Sequence, residues 1–314
     1  MRRQLICDRR KPFFNFGKKL DKSKYLIIMI IPAIIFYFIF NYLPMCGILI
    51  AFENYSPKLG IFGSKFNHFE NFSFLWEDSE EFWRVFFNTC FIGFGKIIIS
   101  FVAAIVVALL LNEIRMKVFK KSVQIIVTFP HFLSWVVVGE IVLNLFGRFG
   151  AVNNLTDILF HTRYEYLSDG KFFLGLLFTS DVWKEAGWSS IIYLATMAGI
   201  SPELYEAADI DGATRLQKIK NITLPAIKPT AILLLIMSVG GILSAGFDQI
   251  FNLYNPLVYD VADILDTYIY RTTFKSLQPP EIGAAIGLFK SVISFALVFS
   301  TDRIAKACGE RGIF

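Results

Sequence analysis

Between residues 201 and 229 the chain reads SPELYEAADIDGATRLQKIKNITLPAIKP, and the residue types there fall at spacings that favour contact with another molecule. Glu203, Glu206 and Asp209 stand three apart, so on a helix they share a side and repel one another mildly unless a basic surface lies opposite. Leu204, Ala207 and Ala208 share a neighbouring side, where the two alanines let a partner approach closely. The plainer alternative is a solvated amphipathic loop whose acids only favour a helix N-terminus. Signatures of catalysis are missing. Gly93-Phe94-Gly95-Lys96 is followed by Ile97, so it is not the G-x-x-x-x-G-K-[ST] phosphate loop. His68, His131 and His161 are scattered, without the carboxylate or cysteine spacing of a metal or catalytic cluster. The remaining chemically active groups are ionisable residues inside apolar stretches: Lys96, Glu140, Asp181, Lys184, Glu185, Asp248 and Lys290. A charge at bilayer depth costs roughly 2.5–3.5 kcal/mol on insertion scales and needs a reason. Either these groups line a polar path, with Lys96, Glu140, Lys184, Asp248 and Lys290 the candidates to meet a solute, or they pair internally or snorkel to headgroups.

The elements around the polar island follow from local rules. Ser201 suits an N-cap and Pro202 the first helical position, where a missing N–H costs nothing. That helix should stop near Asp211, because Gly212 can take the left-handed conformation that closes a helix. Thr214 and Gln217 have capping-box spacing, and the second helix they open is expected to run until Leu224-Pro225 interrupts it. The expected unit is helix, tight turn, helix.

The rest of the chain sets the class. Its 314 residues are 55% hydrophobic and 16% aromatic, with 34 phenylalanines, and the mean hydropathy is +0.54. That is too apolar for an ordinary soluble domain. A helix crosses the hydrocarbon core with about 20 apolar residues. Six stretches qualify, over 25–44, 85–111, 122–146, 172–200, 226–251 and 282–303. The fourth is interrupted by Asp181, Lys184 and Glu185, so its helix proper is expected to begin near Asp181. Gly283 and Gly287 form a G-x-x-x-G pair suited to close helix packing. The fold class is therefore an all-α integral membrane protein of six transmembrane helices. Its parts are a basic segment over 1–24, a membrane domain over 25–303 and a tail over 304–314.

Orientation follows the lysines and arginines. Residues 1–24 hold nine of them against Asp8 and Asp21, and the 112–121 loop holds Arg115, Lys117, Lys120 and Lys121. Both segments should be cytoplasmic. Alternation then puts the 201–225 loop and both termini inside, while the first outer loop is acidic with Glu53, Glu70, Glu77, Asp78, Glu80 and Glu81. The net charge of +5 reflects this topology rather than nucleic-acid binding. The first apolar segment is too long for a cleavable signal, and bulky Met45 before Cys46 argues against lipoprotein processing. Cys7, Cys46, Cys90 and Cys308 form no disulfide or metal pattern.

The series Glu206-Ala207-Ala208, Asp211-Gly212-Ala213 and Leu224-Pro225 resembles the cytoplasmic coupling loop of bacterial ABC importer permeases of the type I fold. The stretch from Phe247-Asp248-Gln249 to Asn255-Pro256, continuing through Asp263 to Arg271, and Ala285-Ile286-Gly287-Leu288-Phe289-Lys290-Ser291-Val292 resemble the sugar-permease branch. That branch imports oligosaccharides from plant or algal polysaccharides, often uronate-containing ones. The likeness runs over nearly all of the chain from residue 25 onward. It implies that Glu203, Glu206, Ala207, Ala208, Asp211, Gly212, Ala213, Ile219, Leu224 and Pro225 couple the chain to an ATPase. It also implies a second homologous permease, two cytoplasmic ATP-binding subunits that hold ATP and Mg, and an extracellular solute-binding protein. The transport core would begin at about residue 85, in a bacterial cell membrane, and this chain would bind no cofactor and be no enzyme. Ile219 departs from the family's usual phenylalanine, and Leu277-Gln278-Pro279-Pro280 also looks unusual. The rival from another class, a self-sufficient secondary transporter of a polar solute, would need an internal repeat, and none is seen between 25–146 and 172–303.

Overall fold

In a bilayer no water satisfies a bare backbone, so long apolar runs fold as helices. The computed structural model describes residues 24–77, 80–275 and 279–307, and these are overwhelmingly helical. The basic segment before Lys24, Asp78, Leu277, Gln278, the tail beyond 307, and Cys7 and Cys308 lie outside the described residues. Helix α1 (Lys24–Tyr37) continues through a π-helical turn (Phe38–Tyr42) and a 3-10 stretch (Leu43–Phe52), well past the expected end at 44. A two-stranded antiparallel pair, β1 (Glu53–Asn54) and β2 (Lys65–Phe66), follows with Glu53 opposite Phe66.

Two long helices form the spine, α2 (Glu80–Glu113) and a later one, α6 (Gly170–Ala198). Between them lie α3 (Lys117–Thr128), α4 (Trp135–Phe146) and α5 (Ala151–Phe160). The expected single span over 122–146 is thus two helices. Pro130 lies in a 3-10 turn at Phe129–Phe132, and Ser134 restarts the helix with its Oγ accepting from Val137 N. The fourth span also differs from expectation. Helix α6 begins at Gly170, where Asp169 accepts from Phe172 N, so Asp181, Lys184 and Glu185 sit mid-helix. Its 29 residues reach ~43 Å at 1.5 Å each. Ser100 on α2 and His131 in the 3-10 turn before α4 bond to these polar groups, and that lets the helix run through them.

After α6 come α7 (Pro202–Ile210), α8 (Arg215–Lys218), α9 (Leu224–Val239), α10 (Phe247–Leu253), α11 (Tyr259–Ala262), α12 (Leu265–Tyr270) and α13 (Pro280–Ala307). The fifth expected span, 226–251, is broken. Helix α9 stops at Gly240-Gly241, a 3-10 turn covers Ile242–Ser244, and left-handed Ala245 and Gly246 precede α10. Among the described residues, five helical stretches are long and apolar enough to cross a membrane, the α6 helix with its four charged residues not among them.

Small residues set the packing. Ala104 and Ala108 of α2 lie against Tyr193 and Met197 of α6 and Ile227 and Ala231 of α9. Further along α2, Ile92 joins Phe173, Leu177, Ile250 and Ile264 in a second core. A side chain at Gly283 would strike Thr273, whereas Gly287 has open space around it. Of the G-x-x-x-G pair, Gly283 therefore makes a close approach and Gly287 makes none among the described residues.

The 255–275 segment is stapled to the start of α2. Arg271 donates to Glu81 at 2.7 Å and Asp263 at 2.8 Å, Asn88 donates to the Asp260 carbonyl, and Thr89 Oγ1 accepts from Leu265 N. Burial pushes the Asp263 carboxyl up, against hydrogen bonds from Thr267 and Arg271 and the Arg271 charge.

Candidate functional site

The polar island folds as a helix, a left-handed turn and a second helix. At its first bend Asp211 N donates to Ala207 O, Gly212 N to Asp209 O and Ala213 N to Ala208 O. Gly212 has φ +73°, the conformation that favours glycine there. Ser201 occupies the N-cap position of α7, but its side chain makes no capping bond. Thr214 and Gln217 form a full capping box on α8. Across the turn Lys218 Nζ lies 2.6 Å from Asp209 Oδ1, and Tyr205 Oη lies 2.9 Å from Thr223 Oγ1. Glu203 and Glu206 are exposed and have no hydrogen-bond or ion-pair partner among the described residues. Ala208, Ala213 and Ile219 are half-buried, while Ala207, Asp211, Leu224 and Pro225 are exposed.

One expectation fails here. Leu224-Pro225 does not interrupt the second helix. Residues Ile219–Thr223 form a π-helical turn in which Leu224 N donates to Ile219 O, and α9 follows without a break. The wider ladder gives the Pro225 ring the room that a regular α-helical turn would deny it. Helix α8, the π-helical turn and α9 are therefore one continuous rod.

Deeper in the bundle a cavity of about 320 Å3 opens between α2, α6 and α9. Lys96, Ser100, Asp181, Trp188, Ser189 and Tyr193 line it among others. Ser100 Oγ donates to Asp181 Oδ2 at 2.7 Å, and Lys96 Nζ donates to Ala245 O at 2.7 Å. Beside it, the break in the third span places His131 against α6. His131 stacks on Trp188 with centroids 4.4 Å apart and an interplanar angle of 4°. Its Nδ1 lies 2.7 Å from Glu185 Oε2. Lys184 Nζ donates to His131 O at 2.8 Å and Glu185 Oε1 at 3.0 Å, and lies over the Trp135 ring.

The five path candidates do not come together. Lys184 is consumed by the His131–Glu185 cluster, and Lys290 Nζ is held by both oxygens of Asp266, at 2.6 and 2.7 Å. Glu140 and Asp248 are exposed with no side-chain partner among the described residues. They lie on α4 and α10, which meet where Gly139 faces Asn252. Only Lys96 borders the cavity. Sequence reasoning set His131 aside as isolated and passed over Trp188 and Ser100. The available signal was Pro130 beside His131, which marks a break that frees a carbonyl for Lys184.

A family profile described as "Binding-protein-dependent transport system inner membrane component" matches residues 96–311. The chain belongs to this family. It is an inner-membrane component of a binding-protein-dependent transport system, and membership sets aside the self-sufficient secondary transporter. Relatives from Bacillus subtilis (strain 168) agree over almost the whole length. Protein LplB is 38% identical, covering 94% of this chain and 92% of its own. The polygalacturonan/rhamnogalacturonan transport system permease protein YteP is 40% identical with the same coverage. A crystal structure of a bacterial ABC transporter involved in the import of the acidic polysaccharide alginate has a chain 36% identical, with a TM-score of 0.84. The match covers 93% of this chain and 99% of that one. The bacterial alginate ABC transporter in complex with alginate pentasaccharide-bound periplasmic protein matches at 35% identity and a TM-score of 0.85, over 95% of this chain and 100% of the other.

Proposed function

We propose that this chain is the permease through which an ATP-driven ABC importer passes an oligosaccharide, with the 201–225 loop coupling it to the ATPases. One observation carries the coupling: the acid-and-alanine helix α7 turns at Gly212 into α8, which runs unbroken through a π-helical turn into α9. A push on exposed Glu203 and Glu206 by a basic ATPase groove would pass across the Gly212 turn, bridged by Lys218–Asp209 and Tyr205–Thr223, into the unbroken α8–α9 helix. Ala207, Ala208, Asp211, Ala213, Ile219, Leu224 and Pro225 shape the same unit. The reading includes two cytoplasmic subunits holding ATP and Mg, a second related permease and an extracellular solute-binding protein. It also includes six spans with both termini inside.

The names of the relatives support a saccharide, and uronate-containing oligosaccharides are the first to try. For the path, the cavity wall of Asp181, Ser100, Ser189 and Trp188 offers an aromatic face beside hydroxyls and a carboxylate, the mixture that a polar ring with apolar faces needs. The His131–Glu185 pair braces Trp188 from behind. Glu140 and Asp248 are proposed to meet the solute further along, and Lys184 and Lys290 to hold structure.

The test uses the assembled importer in proteoliposomes with its solute-binding protein. Glu206→Lys reverses the docking charge, and Gly212→Val penalises the left-handed turn by about 1–3 kcal/mol. Both should bring uptake to background while the permease still inserts. Trp188→Ala should lower uptake by up to about tenfold with ATP use still solute-dependent, as loss of an aromatic contact predicts. Normal uptake and normal solute-stimulated ATPase activity in Glu206→Lys and Gly212→Val would sink the coupling assignment, and unchanged uptake in Trp188→Ala would sink the path.

A further inference from the structure

The break in the fifth span hangs between two helices. On one side Lys96, 7% exposed in the middle of α2, donates to the Ala245 carbonyl. On the other side Gln249, fully buried, donates from Nε2 to Leu177 O and to Ser180 Oγ of α6, both at 2.8 Å. Ala245 sits at φ 45° and ψ 14°, a left-handed conformation that a non-glycine residue keeps only when its surroundings impose it. A carbonyl where a helix is interrupted lacks its intrahelical donor. The ammonium supplies that donor with a charge-assisted bond. The fit is close on both chains. A Cβ on Gly246 would collide with the Lys96 ammonium, and one on Gly93, a turn before Lys96, would collide with the Ile242 carbonyl.

Two more facts give this bond a role. The helix that ends at the break, α9, is at its other end continuous with the polar loop. And Lys96 shares the cavity wall with Asp181, whose carboxylate is held by Ser100, four residues along α2 from Lys96. The ammonium is thus bonded to a carbonyl in the bent fifth span and shares a cavity wall with a carboxylate on α6, which would be its second acceptor if the span moved.

We propose that Lys96 is a switchable clasp rather than a ligand for the solute: it holds the 240–246 break in its present bend and passes to Asp181 when α9 swings. The inference rests on the reading that the loop moves α9. Lys96 is a positioning residue here, and its loss changes the balance of two conformations instead of the affinity for a particular sugar.

The test is made on the assembled complex in lipid nanodiscs, with spin labels at exposed Ala226 and Leu257, on opposite sides of the break. Without nucleotide the otherwise native complex should give one distance. Lys96→Met should add a second population and raise solute-independent ATP hydrolysis about tenfold, the scale of one charge-assisted hydrogen bond. Its uptake should fall equally for neutral and uronate-containing oligosaccharides. Lys96→Arg, which keeps a donor, should restore the single distance. Asp181→Asn should leave the nucleotide-free distance alone and suppress the shift that ATP produces. If Lys96→Met does not assemble, Gly246→Ala, which displaces the ammonium, is measured the same way and should also split the distance. A single unchanged distance in Lys96→Met, or in Gly246→Ala in its place, overturns the clasp, as does an uptake loss confined to uronate-containing sugars. A native complex without ATP-linked uptake, but with a Lys96→Met distance that still splits, removes the importer reading and leaves the clasp standing.

Discussion

At residue scale, the charges buried at bilayer depth are explained by their partners. Lys290 illustrates this. Its ammonium is held by Asp266 on α12, and the two side chains are 17% and 25% exposed. Removing one member leaves the other desolvated without compensation, which costs more than the pair itself is worth. Lys290→Met should therefore lower the melting temperature of the purified protein, and adding Asp266→Asn should restore part of the loss, with a coupling of about 0.5–3 kcal/mol. Additive losses in a thermal-unfolding series would exclude the pairing. None of these partnerships was legible in the sequence. Lys96 and Ala245 are 149 residues apart, and nothing local marks Ala245 as an acceptor. The turn at Gly212 and the capping box at Thr214 were legible because each is decided within a few neighbours.

At element scale, helices approach where side chains are absent, and glycine positions report which contacts matter. A Cβ on Gly187 of α6 would run into the Val127 carbonyl of α3, whereas one on Gly175 of the same helix meets nothing within 4 Å. Overpacking costs roughly 1–3 kcal/mol, and glycine in a helix costs roughly 0.5–1 kcal/mol relative to alanine. Gly187→Ala should thus destabilise the protein and Gly175→Ala should be neutral or mildly stabilising. Melting curves of the two variants in one detergent give the comparison, and equal shifts would remove the close approach of α3 and α6. Hydropathy located the long apolar runs but merged broken helices, because Pro130 and Gly240-Gly241 interrupt the backbone without interrupting apolarity. It also shortened α6, since Asp181, Lys184 and Glu185 read as an end when their neighbours could not be seen.

At the scale of the whole molecule, the lysine and arginine bias predicts an orientation that the helices alone do not, with the polar loop and both termini inside. Single reporter cysteines in a cysteine-free background at Ser64 and Asp260 should react with impermeant thiol reagents from outside, and those at Lys18 and Gln217 should not. The inverse pattern would place the polar loop on the wrong side for any ATPase. The staple between the first turns of α2 and the 255–275 segment has a different consequence, for how the protein is made. Its bonds join residues 172 to 190 positions apart. Glu81 leaves the ribosome long before Arg271 exists, so a nascent chain halted anywhere between them carries an acid with no arginine to meet it. This corner must close late in biosynthesis, after the loop-closure entropy of more than half the chain has been overcome.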